Sequence, residues 1–255
     1  MFLIAVVIDS YPLEGYAAVC YYFSMNTNLT HEPTTVVNPQ CLSLQTAWDR
    51  YFSGLSASEF AAGHQCHLIA KEFETLGRKD LAARYYQFAI EEEDHGRLGG
   101  AMGSRAYPLT PTAIEVFKGE QLENGHVLSN RLMVIHSVFE PSALAILGFL
   151  NQNADDLFDR YRANIVKACT ASVLRDEVGH VLDGAKLIKE LIDDGTLPKP
   201  SVETVACMKF HLAFVKSGFR SFFADVPEYR TTLHQIHAKF DNYVKQSVAT
   251  YELKF

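Results

Sequence analysis

The stretch of sequence that decides the fold is residues 166–187, which read VKACTASVLRDEVGHVLDGAKL. Its apolar residues recur at the spacing of one helix face, and Glu177 continues that row. Glu177 and His180 are three residues apart, so a helix places their carboxylate and imidazole where both reach one cation. The stretch therefore predicts a long helix, over about 157–193, with a candidate metal-binding pair on its buried face.

The same Glu-x-x-His spacing occurs at two other places in the chain, at Glu92/His95 and at Glu123/His126. The second of these pairs brackets Asn124-Gly125, which is a poor helix interior. In addition, no lone glutamate elsewhere in the chain lies at the same distance from a predicted turn as this pair, so the pair has no partner across a helical hairpin. We therefore interpret Glu123/His126 as an accidental match.

The two remaining pairs each face a lone glutamate. In a helical hairpin, residues equidistant from the turn lie at the same height. Glu59 and Glu92 are centred on the turn signal at Leu76-Gly77, and Glu140 and Glu177 are centred near residue 158. The spacing predicts two hairpins, each with one glutamate opposite one Glu-x-x-His.

The apolar residues around these glutamates direct them at the core. Glu59 interrupts the row Phe52, Leu55, Ala62 and Cys66, and Glu92 follows Leu81, Tyr85 and Phe88. Four carboxylates buried without partners would be costly, whereas two divalent cations would cancel their charge. The alternative without a metal is that the glutamates are solvated or form ion pairs with Lys and Arg. We expect metal ligands at Glu59, Glu92, His95, Glu140, Glu177 and His180.

The pattern resembles the ferritin-like di-iron carboxylate superfamily, whose bundles use this ligand set. The resemblance covers about residues 45–190 and implies an all-α, ferritin-like four-helix bundle with two iron ions, or manganese in their place. Asp176 matches the family's Asp-Glu-x-x-His, and Glu91 stands in the Asp place of the first pair. The family's arrangement implies that Asp176 orients His95 and that Glu91 orients His180.

The domain organisation follows from breaks in the helical pattern. Residues 1–42 are expected to be an N-terminal arm, partly disordered, and 43–255 one ferritin-like helical domain. Its core bundle is expected at about 45–193, with a connection at Asn151–Asp156 and a bend at Pro141. Extra helices are expected over 202–251. Met25 is an alternative translation start, which an intact mass would decide.

Composition narrows the classes of partner. The net charge is −7 and there is no basic tract, so nucleic acid is not expected as a partner. The apolar run 2–8 is too short to span a bilayer, and no membrane association is expected. The five cysteines form no CxxC pair, which favours a reducing, cytoplasmic location.

The resemblance implies an oxygen-activating di-iron oxygenase or oxidase that acts on a small, partly apolar organic substrate by hydroxylation, N-oxygenation or a related oxidation. Glu59 or Glu140 would bridge the metals with a glutamate of the other hairpin, and a ferredoxin or flavoprotein reductase would supply electrons. The size is similar to that of aldehyde-deformylating oxygenases and arylamine N-oxygenases. Val173 stands where the latter have an extra histidine. Residues 200–255 are expected to cap the pocket, to form a homodimer surface, or both.

Several alternatives stay open from the sequence. The same ligand set serves ferroxidases, iron-storage proteins, rubrerythrin-like peroxidases and manganese catalases, and a metal-free helical interaction protein is a further reading. The long C-terminal segment disfavours storage, and the missing CxxC pair disfavours a rubrerythrin. His136 lies one turn before Glu140 and is either an extra ligand or a core histidine.

Overall fold

The computed structural model describes residues 44–103, 122 and 125–253, and the predicted arm over 1–42 lies outside the described residues. Every regular element in the described ranges is helical. In chain order these are α1 (Leu44–Thr75), α2 (Lys79–Met102), α3 (Val127–Val134), a π-helix (Ile135–Phe139), α4 (Glu140–Leu157), α5 (Arg160–Asp193), α6 (Val202–Phe222), a 3₁₀-helix (Pro227–Tyr229) and α7 (Arg230–Ala249).

Two helical hairpins form the bundle. α1 packs along α2, α4 packs along α5, and α2 contacts α5 to join the hairpins. The all-α bundle with additional C-terminal helices confirms the predicted fold class. α6 lies against α1, α3 and the π-helix, whereas α7 lies against α4.

The turn of the first hairpin depends on Gly77. Its φ of +74° is a left-handed conformation that glycine adopts without strain. The amide of Arg78 donates to the carbonyl of Phe73, which closes the end of α1 in the manner of a Schellman motif. The turn lies where the matched heights of Glu59 and Glu92 predicted it.

The second hairpin turns later than expected. The predicted connection at Asn151–Asp156 was wrong, because α4 continues to Leu157. The side chain of Asn151 donates to the carbonyl of Lys167 and to Oγ1 of Thr170, so a polar residue serves helix packing instead of a loop. Asp159 then caps α5 by accepting from the amides of Tyr161 and Arg162.

The helix that contains Pro141 changes register before the proline. The amide of Glu140 donates to the carbonyl of Ile135, five residues back. In that register residue 141 would donate to the carbonyl of His136, but a proline has no amide hydrogen. Ser247 of α7 donates its hydroxyl to that carbonyl at 3.2 Å instead. The disturbance expected at Pro141 is therefore a one-turn π-helix supported by the C-terminal helix.

The apolar stretch Val127–Leu157 is long and apolar enough, by composition alone, to cross a membrane. It is the one such stretch in the described ranges, and 72% of its most apolar window is buried inside the protein. That burial is consistent with a core helix of a soluble protein.

Candidate metal centre

Six buried side chains meet between the two hairpins. They are the residues that the spacing singled out, and none is more than 7% exposed: Glu59, Glu92, His95, Glu140, Glu177 and His180. α1 and α4 contribute one glutamate each, and α2 and α5 contribute one Glu-x-x-His each. Hairpin geometry therefore places three potential metal-ligating side chains from each hairpin at the same height in the bundle.

The side chains form two overlapping groups, each with its potential ligand atoms within 4.8 Å of one another. One group contains Glu59 and His95, the other contains Glu140 and His180, and Glu92 and Glu177 belong to both. This arrangement fits two metal ions that share two carboxylates. The glutamates common to both groups are those of the Glu-x-x-His pairs, whereas the expectation had Glu59 or Glu140 bridging with a glutamate of the other hairpin. Which residues bridge two bound metals stays a prediction.

Acidic residues hold the outer nitrogen of each histidine. Nε2 of His95 lies 3.2 Å from Oδ2 of Asp176, and Nε2 of His180 lies 2.9 Å from Oε2 of Glu91. These are the cross-helix pairings that the resemblance implies. A carboxylate next to Nε2 favours the tautomer that has its proton on Nε2. Nδ1 then keeps its lone pair and is available to bind a metal ion.

The inner nitrogens therefore face the glutamates. Nδ1 of His95 lies 3.3 Å from Oε1 of Glu177, and Nδ1 of His180 lies 3.1 Å from Oε1 of Glu92. These four atoms, together with Oε2 of Glu177, are buried and make no hydrogen bond. Buried polar atoms without partners are rare in folded proteins. The chemistry of the unpaired atoms, carboxylate oxygen and imidazole nitrogen, suits iron, manganese or zinc.

Proton affinities in the cluster reflect its crowded charge. Burial raises the pKa of Glu177 well above its usual range, and the neighbouring Glu140 adds to the effect. Burial, reinforced by Glu92, raises the pKa of Glu59 in the same way. Burial opposes the charged imidazolium of His95, but the carboxylates of Glu92, Glu59 and Asp176 together outweigh it and raise the pKa of His95 to about 9. The cluster thus retains protons that divalent cations would displace on binding.

Four residues outside the predicted set support the site. Ser247 Oγ lies 3.1 Å from Oγ of Ser137, and the hydroxyl of Tyr251 donates to that same oxygen at 2.8 Å. They anchor the π-helix that immediately precedes Glu140. The ring of Phe88 packs on His180 with centroids 4.5 Å apart. In the sequence, only Pro141 indicated that the helix is disturbed near Glu140. Ser247 and Tyr251 could not be linked to this region, because they are more than a hundred residues away along the chain.

His136 is buried next to the cluster but belongs to neither group of potential ligands. Its Nε2 lies 2.7 Å from the hydroxyl of Tyr85. Burial lowers the pKa of His136 to about 4, so the ring is neutral. Gly184 makes room for it, since a Cβ there would lie 2.3 Å from the ring. Of the two open readings, this geometry favours the core histidine.

His126 of the dismissed pair belongs to neither group of potential ligands. Glu123 lies outside the described residues, and His126 is the N-cap of α3, where its Nδ1 accepts from the amide of Ser129. That capping bond gives His126 a structural role.

A cavity of about 80 Å³ opens beside the cluster on the side of Glu59 and Glu140. Its walls are mainly apolar and come from α1, the π-helix, α4 and α6, and Glu92 of α2 also lines it. Phe214, Val215 and Phe219 of α6 close one side. The extra helix α6 therefore caps a pocket next to the potential ligands, as one of the two expectations for residues 200–255 had it.

Comparisons with known proteins bear on the fold. No protein-family model matches the sequence, and no curated protein matches it. The structure is similar to that of a Synechococcus protein with aldehyde deformylating oxidase activity, with a TM-score of 0.63 and 15% identity. The match covers 84% of this chain and 93% of that chain. The chain is thus a ferritin-like helical bundle with a buried cluster of carboxylates and imidazoles.

Proposed function

We propose that the protein is a non-haem di-iron oxidoreductase that uses dioxygen to oxidise a small organic molecule. The observation that carries the proposal is the pair of overlapping ligand groups sharing Glu92 and Glu177. Two iron(II) ions bound there would supply the electrons that activate dioxygen. The similarity of fold to a protein with aldehyde deformylating oxidase activity supports the same class of chemistry.

The chain's own residues would do three things in this reaction. Glu59 with His95, and Glu140 with His180, would hold the ions together with Glu92 and Glu177, which belong to both groups. Asp176 and Glu91 would hold the imidazoles in the tautomer that offers Nδ1 inward. The apolar wall of the adjoining cavity would exclude water and hold the substrate beside the ions.

The electron balance of a monooxygenation requires an outside donor. One oxygen atom enters the substrate and the other leaves as water, which consumes two electrons beyond those that the substrate provides. The proposal therefore includes a ferredoxin or flavoprotein reductase as partner, and a cytoplasmic location where such donors occur. Manganese is the alternative metal, because the donor atoms suit both ions.

Stoichiometric oxidation of iron tests the proposal. Iron(II) is added in steps to metal-depleted protein under air, and the absorption of oxidised iron is followed. We expect saturation near two irons per chain and substrate-dependent oxygen uptake once a reductant is present. Continued uptake of many irons would instead indicate storage. The Glu177→Leu variant is the matched control, since it removes a shared carboxylate and should abolish saturable oxidation.

A further inference from the structure

We propose that the cavity beside the cluster binds a short, mostly apolar molecule with one acceptor oxygen, which the hydroxyl of Tyr51 holds. This inference rests on the proposed function in that the bound molecule would be the substrate. It adds the size and the polarity of the bound molecule and names a residue that positions it, none of which the cluster of potential metal ligands defines.

The size follows from the volume of the cavity. At about 80 Å³ it encloses roughly three groups of the size of a methylene or a water molecule, at about 25–30 Å³ each. The wall from α6 is made of large side chains, and Phe214 and Phe219 are themselves buried. The enclosed part of the cavity therefore suits a short chain or part of a single ring, and the rest of a long alkyl chain would extend out of its open side without being buried.

The polarity follows from the lining hydroxyls. Ser58 donates to the carbonyl of Leu55 at 2.8 Å, and Ser142 donates to the carbonyl of Val138 at 2.6 Å. Their hydrogens are therefore used within the protein. Tyr51 also lines the cavity, and its buried hydroxyl makes no hydrogen bond. An unpaired buried hydroxyl is costly, and a ligand with an acceptor oxygen would relieve that cost.

The surroundings of Tyr51 keep it a donor. Burial raises the pKa of Tyr51 well above its usual range, and the carboxylates of Glu59 and Glu177 add to the effect. The ring is held edge-on by Phe219 of the cap and by Trp48, with centroids 5.2 and 5.5 Å away. Tyr51 lines the cavity together with Glu59 and Glu140, so a molecule bound there would lie next to both the tyrosine and the potential metal ligands.

Matched probes test the polarity. The affinities of cyclohexanone and of methylenecyclohexane, in which =CH₂ replaces the carbonyl oxygen, are measured by ligand-observed NMR on the protein as purified. We expect the ketone to bind about two- to tenfold tighter to the wild type. In Tyr51→Phe the preference should reverse in favour of methylenecyclohexane, because the ketone oxygen would then be buried without a donor, and Tyr161→Phe, which changes an exposed tyrosine, should keep the preference for the ketone. An unchanged preference in Tyr51→Phe would overturn the inference, and so would binding of neither probe to the wild type.

Two further measurements address the place and the size. Ala143→Leu fills the cavity and should weaken both probes, whereas unchanged binding would mean that they bind elsewhere. A long ketone, 2-undecanone, should bind no tighter than cyclohexanone, although each additional buried methylene would otherwise strengthen binding about fourfold. Much tighter binding of 2-undecanone would overturn the size limit.

Metal analysis of the same samples separates this inference from the proposed function. Normal metal content without probe binding would overturn the inference alone. Probe binding that follows the expected pattern in a protein that takes up no iron would overturn the proposed function and leave the cavity assignment standing.

Discussion

Removal of the Ser247 hydroxyl should loosen the part of the helix that positions Glu140. Ser247 donates to the carbonyl of His136, which receives no donor from Pro141 in the π-helical register. Ser247→Ala removes this donor from the carbonyl of the buried His136. A lost buried hydrogen bond of this kind costs about 1–3 kcal/mol of unfolding free energy.

The effect should extend to metal affinity, because Glu140 directly follows the π-helix. Residues that orient metal ligands typically contribute about 10- to 100-fold to affinity. We expect Ser247→Ala to lower the midpoint of urea unfolding and to weaken zinc binding by about tenfold in a competition assay with a chromophoric chelator.

Ser221→Ala is the control for Ser247→Ala. Ser221 also donates its hydroxyl to a backbone carbonyl, that of Gly218 at 2.7 Å, but it lies on α6 and is exposed. The control should change stability by less than about 1 kcal/mol and leave zinc affinity unchanged. If Ser247→Ala behaves like Ser221→Ala in both assays, the π-helix does not depend on α7 and the reasoning fails.

Three other predictions use single substitutions. His180→Ala should sharply lower metal content measured by elemental analysis, whereas His126→Ala should leave it unchanged; loss of metal in the latter would show that the wrong pair was dismissed. Gly184→Ala should lower the unfolding free energy by about 1–3 kcal/mol, since its Cβ would lie 2.3 Å from a histidine ring. Gly179→Ala, on the same helix with nothing within 4 Å, should instead be neutral or stabilising in the same urea titration, and equal effects would refute the packing argument. Burial lowers the pKa of His211 to about 4 in the folded state, below its unfolded value near 6.5, so protons favour unfolding as the pH falls from about 6.5 to 4. The wild type should lose up to about 3 kcal/mol more than His211→Asn over that interval, and parallel pH profiles would contradict a buried neutral imidazole.

The fold and the six clustered residues could be predicted because short-range rules determine them. A three-residue spacing places Glu92 and His95 on one helix face, and a single turn at Gly77 sets the height of Glu59 against Glu92. These relations depend only on helix geometry and on one strong turn signal. Assignment of the six residues as metal ligands stays a prediction until metal binding is measured.

Other features depend on contacts that the local sequence does not specify. The polar run Asn151–Asp156 has the composition of a loop, and its helical state depends on the bonds of Asn151 to α5. Pro141 signals a disturbance, but the choice of a π-helix depends on Ser247 from a distant helix. Which glutamates are shared between the two groups depends on side-chain rotamers, and residue spacing contains no information about these.

The most direct test of the central claim is the metal content of the protein purified from cells supplied with iron. Inductively coupled plasma analysis should find about two irons per chain, and the content should fall sharply in Glu92→Leu and in Glu177→Leu, since each removes a carboxylate common to both groups. One ion per chain in the wild type, or a content that these two substitutions leave unchanged, would contradict a two-metal centre built on the shared glutamates.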